Sequence, residues 1–370
     1  MSSNEGSSAG EPSDRMRERG STSRSKLAVY LCADRWVVAA VPPAVIFVSI
    51  VVLGTLDPTP LRSAVESSDP IETLAQGLLT AIVTGVTLVV SINQLVLSRE
   101  LGPLGDQRER MEGSVAFRED VADLIGVSVA PPEPAAFMRA LAESIATRAQ
   151  AVGETVQRDT TTDDTDAEAG DADVAGEDAP PEQIEHRISE FATNVAENAD
   201  DVADRLDGRQ FGTFEVLSAA LDLNYSWKIY QATRLRRMHD GLSSETKTAL
   251  DDLRDALELF GPAREHVKTL YFRWELVDLS RAMFYTAVPA LVASISAILF
   301  LDNPASLPGA TLGVSNLLLG VAFVTAISIV PFSVLAAYVL RISTVAKRTL
   351  SIGPFVLRSE TSGEDIDWES

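Results

Sequence analysis

Thr73, Thr80, Thr84, Thr87, Ser91, Gln94 and Ser98 recur at spacings built from fours and threes along one otherwise apolar stretch. At about 100° per residue they share one face of a helix. Hydroxyls and a carboxamide do not ionise, but they exchange hydrogen bonds with water or with a solute that is shedding its own water. The chemistry they offer is passage rather than bond making. Beside them Gly77, Ala81 and Gly85 form a small-xxx-small ridge of the kind that lets helices approach closely. The remaining face, Leu78, Leu79, Ile82, Val83, Val86, Val89 and Val90, is expected to meet lipid. Thr80, Thr84, Thr87, Ser91 and Gln94 are therefore the candidate pore-lining residues, and Gly77, Ala81 and Gly85 the candidate packing residues. The same hydroxyls also suit plain helix packing: each can bond the carbonyl one turn back or a neighbouring helix, worth about 0.6 kcal/mol per interhelical bond.

Other chemistry-bearing residues form no site. His186, His239 and His266 lie far apart without ligand spacing, and Cys32 is the single cysteine, so neither a metal site nor an intrachain disulfide is expected. The phosphate-loop, zinc-protease and nucleophile-elbow signatures are absent, and neither enzyme activity nor a cofactor is expected. Lys228, Arg234, Arg236 and Arg237 with Tyr225, Trp227 and Tyr230 make the densest basic and aromatic cluster. Its charges spread around most of a helix, which predicts a solvated or lipid-facing helix, with a phosphate or headgroup site as the alternative. Pairs such as Arg273 with Glu275, or Arg108 with Glu112, read as charge-balanced helix surface.

The elements that must carry these residues are long apolar segments: Trp36 to Leu56, Thr73 to Ser98, Met283 to Leu301 and Gly313 to Leu340. Each has about the 20 residues that cross a hydrocarbon core of about 30 Å. None holds a charged residue, which argues against a proton relay or voltage sensor and favours a passive conduit. Pro42, Pro43, Pro289 and Pro331 fall within spans, where a kink can gate or simply pack. Arg24, Lys26 and Arg35 precede the first span, Arg99, Arg108 and Arg110 follow the second, Lys268, Arg273 and Arg281 precede the third, and Arg341, Lys347 and Arg348 follow the fourth. Only Arg62 lies in the two opposite loops, so both termini and the centre of the chain are expected in the cytoplasm, in a multi-pass protein of the cell membrane.

The expected fold is all-α, with four transmembrane helices in a 2+2 arrangement and a helical cytoplasmic domain between spans 2 and 3. Residues 1–35 are a polar tail predicted to be disordered, 36–101 a transmembrane hairpin, and 102–158 cytoplasmic helices. Residues 159–181, rich in Asp, Thr, Ala and Gly, cannot bury enough apolar area to fold and are predicted to be a disordered linker. Residues 182–281 are further helices leading into span 3, 282–343 the second hairpin and 344–370 a tail. Ile184, Ile188, Phe191, Val195, Val202 and Leu206 mark a narrow helix-packing seam, Gly261-Pro262 is expected to end a helix, and no strand is expected.

With 53 acidic against 31 basic residues the chain carries a formal charge of -22. So acidic a composition resembles that of haloarchaeal proteins, and it leaves no clustered basic surface for nucleic acid. The stretch Ser91-Ile-Asn-Gln-Leu-Val-Leu-Ser-Arg-Glu-Leu-Gly-Pro-Leu-Gly-Asp-Gln-Arg-Glu-Arg-Met111 resembles one found in uncharacterised prokaryotic four-span membrane proteins. That resemblance implies a family and no activity. The plan of two spans, a helical cytoplasmic domain and two more spans is similar to the layout of bestrophin-type anion channels, an analogy of layout that carries over no functional residue. The expected function is a channel-like conduit for ions or small solutes formed by a homo-oligomer in the lipid bilayer. The alternative is a non-conducting sensor or scaffold whose cytoplasmic helices bind a protein partner.

Overall fold

The computed structural model describes residues 33–56, 68–100, 103–163, 181–212, 214–238, 241–301 and 307–348. Most of the two tails, the core of the acidic linker, Cys32 and His239 lie outside the described residues. The fold is all-α. The chain divides into two compact units: one holds Leu104–Tyr271, the other the described residues up to Pro103 together with Phe272–Ala346.

The first unit is built from α3 (Leu104–Ile125), α4 (Pro134–Asp163), α5 (Pro181–Leu206), α6 (Phe214–Leu221), α7 (Tyr225–Met238) and the start of α8 (Ser244–Phe300), numbered after the two helices α1 and α2 described below. Its centre is the α4–α5 pair. Met138, Ala142, Ile145, Ala149, Val152 and Val156 on one helix and Ile188, Ala192, Val195, Ala199, Val202 and Leu206 on the other repeat at four-and-three spacing, and all are buried. This is the 3.5-residue period that keeps a narrow seam facing its partner. Arg139, near the start of α4, pairs with Asp207 just beyond the end of α5, so the two helices run antiparallel. Glu133 serves both ends, since one carboxylate oxygen caps α4 at the Ala136 amide (2.7 Å) and the other accepts from the Phe211 amide (3.1 Å). The seam expected from the large residues is present at Ile188, Val195, Val202 and Leu206, while Ile184 and Phe191 are half-buried at its margin.

Three expectations for this unit need correction. Helix α8 does not end at Gly261-Pro262 but runs unbroken from Ser244 to Phe300, so it does continue into the apolar stretch read as span 3. A proline inside a helix costs about 3 kcal/mol, and burial on both sides of this one outweighs that cost. Phe260 and Ala263 are core residues, and the Arg264 guanidinium lies 4.6 Å from the centre of the Tyr225 ring. Gly261 is what admits that ring, because a Cβ there would sit 2.8 Å from Tyr225 Cε2. Second, α7 is a core helix rather than a solvated or lipid-facing one: Tyr225, Trp227, Lys228 and Leu235 are buried, and Arg236 reaches Asp251 at 2.7 Å. Charge spread on a helical projection hid this, because Trp227, Ile229, Ala232 and Leu235 hold enough apolar surface to bury the helix. Third, α4 continues to Asp163, beyond the predicted start of the linker, and Asp159 Oδ2 accepts a bond from the buried Thr246 hydroxyl (2.9 Å).

The second unit packs α1 (Arg35–Leu56), α2 (Ser68–Glu100), α8 from Phe272 onward and α9 (Asn316–Arg348). Among the described residues four helices, α1, α2, α8 and α9, are long and apolar enough to cross a membrane. Helices α1, α8 and α9 run through their internal prolines. Asp34 caps α1 by accepting from the Trp36 amide (2.7 Å). Buried alanines mark the contacts: Ala39, Ala282 and Ala337 at one level, Ala287 and Ala290 at the next, Ala75 and Ala297 at the third. Ser294 and Ser328, both fully buried, share a hydrogen bond of 2.8 Å between α8 and α9. Helix α1 buries only Ala39, Pro43 and Gly54, and Gly54 lies so close to Leu318 that a Cβ would fall 2.3 Å from its Cδ2.

One element was not expected. Ala310–Thr311 and Val314–Ser315 pair as a minimal antiparallel ladder ahead of α9. Leu312 and Gly313 both have positive φ (54° and 80°), the backbone a two-residue hairpin turn requires. The Asn316 side chain secures it, donating to the Pro308 carbonyl (2.9 Å) and accepting from Thr311 Oγ1 (2.7 Å). Two residues per strand are too few to leave an alternation in the sequence.

Candidate functional site

Thr80, Thr84, Thr87, Ser91 and Gln94 are all exposed on the single chain, as are Thr73 and Ser98 at the two ends of the same face. Each hydroxyl along the centre bonds the carbonyl one turn back: Thr80 to Gln76 (2.9 Å), Thr84 to Thr80 (2.8 Å), Thr87 to Val83 (2.8 Å) and Ser91 to Thr87 (2.9 Å). The donors are thereby satisfied, and the oxygens keep a lone pair directed outward. Gln94 differs in kind. Its carboxamide carries two donors and an acceptor, and a helix gives it no backbone partner of its own.

The side of α2 read as lipid-facing is in fact the one packed inside the unit. Ile82 is 0% exposed, set among Ala287, Ala290 and Ile327, and Val89 packs with Met283, Val334 and Ala337. The physical reason is shape. Aliphatic side chains of α2 fill the groove that the alanines of α8 leave open, which gains dispersion contacts within the chain. What remains outward is the hydroxyl face together with Leu74, Val83, Leu88, Val90, Leu95 and Leu97. The small-residue ridge divides. Gly85 is buried, and a Cβ there would lie 3.4 Å from the Phe332 ring, whereas Gly77 meets nothing within 4 Å and Ala81 is half-buried.

This division yields a prediction. Gly85→Leu should overpack the contact with Phe332 and destabilise the folded unit by about 1–3 kcal/mol. Gly77→Leu should leave that stability unchanged while lowering the oligomeric fraction in detergent. Denaturant titration and sizing of the two variants read these separately, and an oligomer unaffected by Leu at position 77 would remove that glycine from any contact between copies.

A second constellation was missed in the sequence. Arg35 Nη2 donates to Glu275 Oε1 at 2.5 Å, with Glu275 only 2% exposed, and Arg35 Nη1 lies 4.0 Å from Asp278. The same guanidinium stands 4.9 Å from the centre of the Tyr338 ring. Arg341, also buried, donates from Nη2 to the Ala33 carbonyl at 2.8 Å. Asn93 on α2 donates to the Ser280 hydroxyl on α8. These bonds tie the start of α1, the Glu275 turn of α8 and the end of α9 into one charged clasp. Glu275 was read with Arg273 as helix surface, but it lies four, seven and eight residues before Leu279, Ala282 and Met283, in phase with the buried stripe. That phase was the available signal.

Among the described residues no group of three His, Cys, Asp or Glu side chains could hold a metal ion. The model of a family of unknown function, DUF7972, matches residues 1–370. The chain belongs to that family. No curated protein and no solved structure matches the chain. The family's description names no activity, and the four helices long and apolar enough to cross a membrane fit a membrane protein.

Proposed function

We propose that copies of this protein assemble in the cell membrane around the polar face of α2 and form a passive conduit for ions or small solutes. One observation carries the reading: Thr80, Thr84, Thr87, Ser91 and Gln94 face outward from the chain, while Ile82 and Val89 on the opposite side of the same helix are buried by packing. In a solitary chain lipid would meet that face. Back-bonded hydroxyls tolerate lipid, but an unpaired carboxamide in hydrocarbon costs several kcal/mol, so Gln94 calls for water or a second copy. Burial within an oligomer with the hydroxyls toward a central path supplies both. Solute flux through liposomes carrying the purified protein tests this, with Thr87→Leu and Ser91→Leu as the diagnostic variants.

The proposed topology is two spans, a cytoplasmic helical unit and two more spans, with both termini cytoplasmic. It rests on the basic residues beside the ends of the apolar stretches within α1, α2, α8 and α9. Cysteines placed at Ser68 and Ser306 should label with an impermeant thiol reagent in intact cells, and one at Thr161 should not. Labelling of position 161 from outside would reverse the orientation.

A second reading, a non-conducting anchor for a protein partner, is favoured by α3. Leu104, Met111 and Val115 are exposed at 82%, 69% and 45%, and residues 103–116 are all exposed. Intact assembly without flux in the wild-type protein would favour this reading over the conduit.

A further inference from the structure

Helix α8 presents two opposite stripes from Trp274 onward. Glu275, Leu279, Ala282, Met283, Ala287, Ala290, Ser294 and Ala297 are buried against the rest of the second unit. Facing away from them, Trp274, Val277, Phe284 and Tyr285 are exposed at 52%, 50%, 65% and 71%, and Val288, Val292, Ile295 and Leu299 continue the exposed stripe. Arg281 stands in the middle of it, exposed, four residues beyond Val277 and four before Tyr285.

We propose that this stripe binds an anionic phospholipid, with the Arg281 guanidinium holding the headgroup phosphate and the apolar residues beyond it lying along the acyl chain. Three features select this occupant. The stripe belongs to a helix long and apolar enough to cross a membrane, and it is aliphatic from Val288 to Leu299, the surface an acyl chain covers. Trp274 and Tyr285 flank the cation, and such aromatic side chains settle at headgroup level, which puts Arg281 at the depth of the phosphate. The charge is also available: among the described residues no carboxylate lies within ion-pair distance of Arg281. The acid on the same stripe, Asp278, is approached by Arg35 at 4.0 Å, which offsets its repulsion of an anion. A guanidinium matches a phosphate through paired N–H donors, so the contact is chemically specific as well as attractive.

The test uses the full-length protein in phosphatidylcholine vesicles containing an equal fraction of either dibrominated phosphatidylglycerol or dibrominated phosphatidylcholine. Bromine quenches tryptophan on contact, and the contribution of Trp274 is the difference between wild type and Trp274→Phe. The expected apparent association constant at Trp274 is about fivefold higher for the anionic lipid, the ratio that roughly 1 kcal/mol per interfacial arginine supplies. Arg281→Gln should bring the ratio close to one, and Arg281→Lys should retain most of it. Equal constants in the wild type, or a preference that survives Arg281→Gln, would overturn the proposal. So would the absence of quenching by either lipid, which would mean that a second copy of the chain covers the stripe.

Discussion

Arg35→Ala is expected to destabilise the apolar unit by about 3–5 kcal/mol, the cost of leaving one member of a buried ion pair without its partner. Glu275 is 2% exposed and its Oε1 depends on Arg35 Nη2 at 2.5 Å, so removing the guanidinium strands a carboxylate away from water. Glu275→Leu should cost less. Arg35 is itself about a quarter exposed, retains Asp278 within 4.0 Å and can turn its head toward water. Replacing both, Arg35→Met with Glu275→Leu, should recover much of the loss, because apolar residues of similar volume avoid the desolvation penalty altogether. Unfolding in mixed detergent micelles with rising dodecyl sulfate measures all three. Additive losses in the double variant would show that the two side chains act independently and that the clasp is not a coupled unit.

The apolar helices were legible in the sequence because runs of about 20 residues without charge are rare for any other reason. Faces of a helix were legible only in part. Periodicity fixes the angle between the hydroxyls and the aliphatics of α2, but it cannot say which side meets protein. The choice fell on lipid for Ile82 and Val89, whereas the alanines at 287 and 290 of α8, ordinary helix formers in sequence terms, provide the groove that receives Ile82. The α4–α5 seam shows the same limit. Its large residues announced it, yet Ala192 and Ala199 are equally buried and carry too little side chain to stand out.

The charged clasp was hidden for a different reason. Arg35 and Glu275 are 240 positions apart, and each had a sufficient local explanation, one as a topogenic charge and the other as the neighbour of Arg273. Gly261-Pro262 misled in the opposite direction: the pair breaks helices on average, and only the ring of Tyr225 against Gly261 shows why this helix continues. Long-range burial decided each of these positions, and a local pattern does not contain it.

The hydroxyl face of α2 should give the largest functional change. Thr87→Leu and Ser91→Leu remove exposed side chains whose hydrogen bonds stay within their own helix, so folding and assembly should be preserved. Repeated around a symmetric assembly, each change places a ring of isobutyl groups where hydroxyls stood, and an apolar ring in a narrow path favours its emptying of water. Flux should therefore fall by an order of magnitude or more, against near-wild-type flux for leucine at Val83 on the margin of the face. The decisive measurement is the conductance of liposomes carrying purified wild-type protein beside Ser91→Leu. The conduit reading predicts a conductance that the wild type confers and the variant loses while its oligomer remains intact. A wild-type protein that assembles and conducts nothing, or a Ser91→Leu oligomer that conducts as the wild type does, would contradict it.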